Sequence, residues 1–172
     1  MHDESALIGL ARQKSRKAFT RLYELHVESL FRFLHKFSSN DIELEEWVQR
    51  AFIKAFRSID SFDGRSRFGS WLFRIAINEM KSDRRRLRQL EEMPEELAGE
   101  SNIDDDFAWR STMDVLLNEL SEQKRMVFIL FEVEGYSHAE IAAMLEIHEG
   151  TSRSLLMRAK QELKKKWTAE VQ

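Results

Sequence analysis

The 172-residue chain has no cysteine, a single proline, six glycines and no long uncharged apolar run. Without cysteine, the sequence excludes a disulfide framework and a thiolate metal site. The missing apolar run argues against a membrane-spanning segment, and charged residues near the start argue against a signal peptide. Proline and β-branched runs are scarce, which favours helices over a sheet. We therefore expect an all-α, cytoplasmic protein that forms one ordinary domain or two small ones.

Charge is segregated along the chain, although the net charge is only −3. Residues 1–90 hold 18 basic and 12 acidic residues, a net charge of +6. Residues 91–106 hold eight acidic residues and no basic one, whereas residues 107–172 hold nine basic and ten acidic residues. Two zones with basic clusters are thus separated by acidic sequence. This distribution is compatible with nucleic-acid binding, which the net charge of the whole chain would not suggest.

Apolar residues at helical spacing predict two helical domains, 1–90 and 107–172. The first has stripes over residues 18–37 and 44–59, with Asn40 or Asp41 as N-cap of the second helix. A third helix is expected from about Phe68 to Leu90. The segment 91–106 has too few large apolar groups to offset the entropy of ordering, which predicts a flexible acidic linker. A helix is then expected over 107–120, followed by one that Ser121 caps and that ends near Gly135.

Residues 62–86 read FDGRSRFGSWLFRIAINEMKSDRRR and interleave aromatic with basic side chains. One face of the predicted third helix carries groups suited to unpaired DNA: Trp71, Arg74, Asn78 and Arg85. Aromatic rings stack on unpaired bases, arginine contacts phosphates, and asparagine reads base edges. The same pattern is also typical of an amphipathic core helix with a solvated basic end, so this segment alone leaves both interpretations open.

The second domain contains a helix-turn-helix pattern. Ser137 and Glu140 have the spacing of a capping box that opens a short helix, a turn follows at 146–150, and Thr151 begins a longer basic helix. The side chains expected to reach base edges in the major groove are Arg153, Ser154, Met157 and Arg158. Lys160 and the lysines at 164–166 are expected to meet phosphates. Generic helix hairpins share this pattern, so it indicates DNA binding without establishing it.

Together the two segments resemble the extracytoplasmic-function (group 4) sigma factors of bacterial RNA polymerase. The resemblance runs from about residue 19 to residue 163 and rests on motifs in family order: EEWVQRAF at 45–52, KAF at 54–56, WLFRIAIN at 71–78, RRR at 84–86, GYSHAEIA at 135–142 and GTSRS at 150–154. Five positions depart from the usual pattern of the family. In the docking stretch, Glu46 replaces an aspartate, Trp47 a leucine and Arg50 a glutamate. In the recognition helix, Ser152 replaces a β-branched residue and Leu155 an arginine.

The resemblance implies a region 2 domain, a linker and a region 4 helix-turn-helix domain. It implies that core polymerase is bound through its β′ clamp helices and its β subunit, with the docking residues Glu45, Glu46, Val48 and Gln49. It implies that the −10 element is read, with capture of a flipped base, by Arg65, Ser66, Phe68, Trp71, Arg74 and Asn78. It implies that the −35 element is contacted by Ser137, Arg153, Ser154, Met157 and Arg158. An anti-sigma partner is also compatible with the family.

No pattern indicates chemistry. The five histidines have no metal-ligand spacing, and no nucleophile elbow or phosphate loop is present, so we expect no catalysis, metal, cofactor or small-molecule substrate. Three functions remain open: a transcription initiation factor, a stand-alone helix-turn-helix regulator, and a sigma-like decoy that binds polymerase or an anti-sigma factor without starting transcription. Run-off transcription with core enzyme separates them, because the first alone gives a transcript.

Overall fold

The computed structural model describes residues 4–91 and 112–170, and within these ranges the regular structure is helical. The α-helices are α1 (Glu4–Arg12), α2 (Arg16–His35), α3 (Asp41–Arg57), α4 (Phe68–Glu91), α5 (Thr112–Asn118), α6 (Glu122–Phe128), α7 (His138–Leu145) and α8 (Glu149–Glu170). A short 3₁₀ helix spans Ile59–Ser61. Nearly all of the predicted acidic linker, and the start of the helix expected from residue 107, lie outside the described residues. Among the helices that the structure does describe, none is long and apolar enough to cross a bilayer.

Side-chain caps fix where several helices begin, as the sequence predicts. Asn40 is the N-cap of α3, and its side-chain oxygen accepts the backbone N–H groups of Ile42 and Glu43 at 3.1 and 3.3 Å. At α7 the predicted capping box is present, with Ser137 and Glu140 satisfying each other's backbone N–H groups. Such caps satisfy amides that have no partner within the helix. Ser121 precedes α6 without a side-chain cap bond.

Helices α2, α3 and α4 enclose the core of the first domain. Its fully buried large side chains come from all three helices: Leu22, Leu30, Phe33, Leu34, Leu44, Trp47, Leu72, Phe73, Ile77 and Met80. The rings of Phe33 and Phe73 lie 5.1 Å apart and join α2 to α4. Helix α1, which the sequence analysis did not predict, closes the bundle with Leu7, Ile8 and Ala11 buried.

The second domain departs from the expected helix bounds at two places. After α6 the chain forms a π turn over Ile129–Val133, and the N–H of Glu134 donates to the carbonyl of Ile129 at 3.0 Å. The chain then turns at Gly135, whose φ of +71° favours glycine. Helix α8 begins at Glu149, two residues before the predicted Thr151. Helices α7 and α8 form the expected helix-turn-helix.

The two domains pack against each other along two seams. In the first seam, Arg67, Ser70 and Phe73 of the first domain contact Tyr136 and Glu140 of the second. The second seam contains two ion pairs, Lys36 with Asp114 at 2.6 Å and Arg84 with Glu122 at 2.6 Å. The half-buried guanidinium of Arg125 also donates to the carbonyl of Lys36 at 3.1 Å. Buried side chains from both domains consequently join one hydrophobic cluster.

Candidate DNA- and polymerase-binding surfaces

Helix α3 presents three of its four predicted docking residues to solvent. Glu45, Glu46 and Gln49 are exposed, whereas Val48 is buried against the bundle. The prediction that Val48 lies on the docking surface is therefore wrong, because its position on the helical wheel is that of the buried Leu44. The exposed face extends instead to Ile42, which the sequence analysis passed over and which is 73% exposed.

Arg50, the departure from the family pattern on α3, is tied to α4. Its guanidinium donates to both carboxylate oxygens of Asp83 at 3.3 and 3.2 Å. The buried indole of Trp47 donates to the same carboxylate at 3.0 Å. Burial acts to raise the pKa of Asp83, but the hydrogen bonds from Arg50 and Trp47 outweigh it and leave that pKa lowered. The two departures thus belong to one network that joins α3 to α4.

On α4 the predicted DNA-reading face is exposed only in part. Arg74, Asn78 and Arg85 are exposed and follow one side of the helix. Trp71 is 9% exposed and Phe68 is 1% exposed, so the expectation that these rings offer an open stacking platform is wrong for this structure. Both rings pack with Phe62, at centroid distances of 5.3 and 5.8 Å. Helical spacing indicated a shared face but not where the core begins.

The loop before α4 exposes the remaining predicted −10 residues. Arg65 and Ser66 are exposed. Gly64 has φ of +75°, which glycine adopts without steric cost, and the side chain of Asp63 accepts the N–H of Arg65 at 3.0 Å. The loop therefore holds a compact turn whose tip carries an exposed guanidinium and hydroxyl.

Arg67, at the end of this loop, is held by the second domain. Its guanidinium donates to both oxygens of Glu140 at 2.7 and 2.9 Å and lies 4.8 Å from the ring centroid of Tyr136. The hydroxyl of Ser70 donates to Glu140 at 3.2 Å. Hydrogen bonds from Arg67 hold the pKa of Glu140 at about 2, and burial raises the pKa of Tyr136 to about 12. The sequence analysis named Glu140 only as a capping residue and missed this contact.

The N-terminal part of α8 exposes most of the predicted −35 residues. Arg153, Met157 and Arg158 are exposed, and Met157 is 54% exposed despite its apolar side chain. Ser154 is half-buried, and its hydroxyl donates to the carbonyl of Thr151 at 2.9 Å. Arg153 forms an ion pair with Glu149 in the preceding turn.

Ser137, the remaining predicted −35 residue, is exposed at the N-terminus of α7. A helix N-terminus carries partial positive charge, which suits a phosphate, but in this structure the N–H and the hydroxyl of Ser137 both donate to Glu140 at 2.9 Å. The N-terminus of α7 and the exposed face of α8 thus lie together in one helix-turn-helix, as the sequence predicts for the −35 surface. Within residues 4–91 and 112–170, no group of three acidic or histidine side chains is placed to hold a metal ion.

Comparison with protein families gives two matches that together span most of the chain. Residues 22–89 match sigma-70 region 2, and residues 110–163 match sigma-70 region 4. Among curated proteins, the chain is 31% identical to the ECF RNA polymerase sigma-E factor of Haemophilus influenzae, over 95% of this chain and 94% of that protein. It is 28% identical to the ECF RNA polymerase sigma-E factor of Escherichia coli K12, over 95% of this chain and 93% of that protein.

Two solved structures resemble the fold. One is the sigma factor RpoE in complex with the anti-sigma factor NepR from Bartonella quintana, with a TM-score of 0.70, 29% identity, and coverage of 87% of this chain and 96% of that one. The other is CnrH in complex with the cytosolic domain of CnrY, with a TM-score of 0.72, 24% identity, and coverage of 95% and 96%. The second likeness concerns the fold alone.

Proposed function

The chain belongs to the extracytoplasmic-function sigma factors of the sigma-70 family, and we propose that its two domains grip separate promoter elements while α3 docks on core RNA polymerase. As a member of that family it is a factor of transcription initiation that binds core polymerase and promoter DNA. We propose further that it acts in the cytoplasm beside the polymerase and catalyses no reaction itself. The roles assigned below to its individual residues are part of the same proposal.

One observation carries this assignment of surfaces. Helices α4 and α8 each turn a row of exposed side chains with two arginines away from the core, and the rows lie in different domains. The rows are Arg74, Asn78 and Arg85 on α4, and Arg153, Met157 and Arg158 on α8. Arginine at the phosphates supplies affinity, whereas contacts to base edges supply sequence preference. Two such rows suit two separated stretches of one promoter.

The upstream surface is α8 with the N-terminus of α7. We assign Arg153 and Met157 to base edges, because a guanidinium suits guanine and an apolar group suits the thymine methyl. Arg158 and Ser154 lie beside them, and Ser137 is assigned to a phosphate of the adjacent backbone.

The downstream surface is the loop tip with the exposed side of α4. Arg65 and Ser66 approach the displaced single strand, and Arg74 and Asn78 hold phosphates and base edges along the helix. Phe68 and Trp71 support the loop from below in the described arrangement. Capture of an unstacked base by Trp71 therefore requires this loop to rearrange.

Polymerase docking is assigned to the exposed side of α3, with Glu45, Glu46 and Gln49 as polar contacts and Ile42 as an apolar one. Arg50 does not present an unpaired cation there, since Asp83 neutralises it. Arg50, the departure from the family pattern that would favour a decoy, thus has its charge paired inside the domain. This pairing favours an active initiation factor over a decoy.

Run-off transcription tests this proposal. Purified factor is added to bacterial core polymerase with a library of genomic fragments, and factor-dependent transcripts with a shared upstream pattern are expected. Sequence-specific binding to duplex DNA without polymerase would instead favour a stand-alone regulator, and polymerase binding without any transcript would favour a decoy. An anti-sigma partner is also proposed, because the similar sigma factor RpoE was solved in complex with the anti-sigma factor NepR.

A further inference from the structure

His138 joins the two helices of the helix-turn-helix at their N-terminal ends. It is the first residue of α7, directly after the N-cap Ser137. Its Nδ1 lies 2.9 Å from the hydroxyl oxygen of Ser152 on α8. Its ring also stacks on Phe131 of the π turn, with centroids 4.5 Å apart and ring planes inclined by 23°. One imidazole therefore contacts three successive elements of the second domain.

Ser152 is the polar member of an otherwise apolar inward stripe on α8. It is fully buried, and the stripe continues with the buried Leu156, Ala159 and Leu163. A buried hydroxyl needs a hydrogen-bond partner, because water cannot replace a partner that is lost. The imidazole of His138 supplies this partner. The bond thus holds the first turns of α8 at a fixed distance from the beginning of α7.

This anchor lies directly behind the face that is proposed to read DNA. Arg153 is the next residue after Ser152, and Met157 projects from the following turn. Rotation or tilt of α8 that moved these side chains relative to Ser137 would strain the hydrogen bond between His138 and Ser152. The bond therefore couples the phosphate-binding end of α7 to the base-reading face of α8.

We propose that His138 is a positioning residue for upstream promoter recognition, and that its hydrogen bond to Ser152 sets the orientation of α8 in the major groove. The proposal rests on the proposed function, since it requires α8 to read the −35 element. In this role His138 acts through α8 and makes no base contact of its own. A valine or isoleucine at position 152 would need no such partner, so the histidine and the serine form a matched pair in this chain.

The test compares variants that separate the hydrogen bond from the ring. His138→Phe keeps an aromatic ring against Phe131 but leaves the buried hydroxyl of Ser152 without its hydrogen bond to the imidazole. The double variant His138→Phe with Ser152→Val removes that hydroxyl as well. His148→Phe is the matched control, because His148 is exposed in the turn between the two helices.

Each variant is assembled with core polymerase and transcribes a promoter selected with the unaltered factor, in which the upstream element is randomised. We expect His138→Phe to reduce the preference for the selected upstream sequence by about 3–10-fold, the worth of one net hydrogen bond. The double variant should regain part of that preference, and His148→Phe should leave it unchanged. An unaltered preference in His138→Phe overturns the proposal.

A second template distinguishes positioning from loss of folding. It carries a pre-opened −10 region and no upstream element, and His138→Phe should initiate on it as well as the unaltered factor does. Equal loss on both templates overturns the positioning role. If Arg153→Ala also leaves upstream preference unchanged, then the assignment of α8 to the −35 element has failed, and the role of His138 fails with it. If Arg153→Ala loses the upstream preference and His138→Phe keeps it, the positioning role of His138 is wrong but the assignment of α8 to the −35 element is retained.

Discussion

Single side chains decide whether α8 reads sequence or merely holds DNA. Arg153 is exposed, and its present partner Glu149 is a neighbour on the same helix rather than a core residue. An exposed pair of this kind contributes little to stability, so the guanidinium is free to exchange its partner for a base. Lys160 on the same helix is exposed as well and pairs with Glu132 at 2.6 Å.

We expect Arg153→Ala to cost about 1–3 kcal/mol at one upstream base pair, because it would remove the bidentate base contact that is proposed for this guanidinium. The measurement is open-complex formation on promoters with single-base changes in the −35 element. Lys160→Ala is the control, and it should weaken binding about equally on all of them, as loss of a phosphate contact does. A uniform loss in Arg153→Ala would mean that this arginine also contacts phosphate.

Asn78 tests the downstream surface more cleanly than Trp71. Because Trp71 is almost buried, its truncation removes core packing together with any contact to DNA. Asn78→Ala should lower the open-complex yield roughly fivefold for each hydrogen bond lost, without a change in thermal stability. Permanganate footprints at the start site give the yield, with Gln13→Ala, an exposed carboxamide in the turn after α1, as control. An unchanged footprint would remove Asn78 from the −10 surface.

At the scale of elements, the network on Asp83 locks α3 to α4. Asp83 is nearly buried, accepts hydrogen bonds from Trp47 and Arg50, and forms an ion pair with Arg86 at 3.3 Å. Since the hydrogen bonds lower the pKa of Asp83, the network stabilises the folded chain at pH values above the ordinary pKa of an aspartate. That stabilisation is lost as the pH falls through the lowered folded value.

Restoring the usual family residue at position 50 should therefore harm this protein. Arg50→Glu places a second carboxylate against Asp83, and we expect a loss of about 2 kcal/mol or more in the free energy of unfolding. Thermal unfolding measures it, with Arg57→Glu as a charge-matched control at an exposed site of α3. Adding Asp83→Asn to Arg50→Glu should restore part of the loss. Equal melting temperatures for Arg50→Glu and the unaltered chain would contradict this account.

The helices themselves were largely predictable, because their signals are local. Apolar spacing predicted α2, α3 and α4, and the caps at Asn40 and at Ser137 were identified from residue type and spacing alone. The π turn at Ile129–Val133 was missed, since one extra residue per turn leaves no clear mark on apolar spacing.

The errors at the candidate site have a different cause. Val48, Phe68 and Trp71 were assigned to surfaces, yet all three are buried. Helical spacing groups residues on a face but does not say which neighbouring helix covers that face. The partners of Arg50 and Arg67 likewise lie 33 and 73 residues away along the chain, beyond the reach of any local pattern.

At the scale of the whole molecule, the contact between the two domains involves residues next to both proposed DNA-binding surfaces. Glu140 caps α7, whose N-terminus is assigned to a phosphate, and it binds Arg67 beside the −10 loop at the same time. The second seam adds Arg125, whose pKa is lowered by burial and by the charge of Arg84. Under the proposed function the two domains grip separated promoter elements, so we expect them to part on the promoter and interpret the described arrangement as a closed state.

We expect Arg67→Ala to shift the free protein toward more extended shapes, because it removes the bidentate ion pair of the first seam. The measurement is the radius of gyration from small-angle X-ray scattering at low ionic strength, where charge pairs are least screened. Arg65→Ala, on the same loop, removes an ion pair with the neighbouring Asp63 rather than a contact of the first seam, and it should leave the radius unchanged. Identical scattering from both variants would show that the ion pair does not govern the spacing of the domains.

Gly69 lies in the first turn of α4, where a side-chain carbon would come within 3.1 Å of the Tyr136 hydroxyl and 3.4 Å of the His26 ring. A helix on its own gains from alanine in place of glycine, so the missing methyl group serves the approach of the neighbouring domain rather than the helix. In other members of the family, the residue at this position should therefore indicate how closely the two domains approach each other in the free protein. We expect alanine there in relatives whose domains do not make this contact.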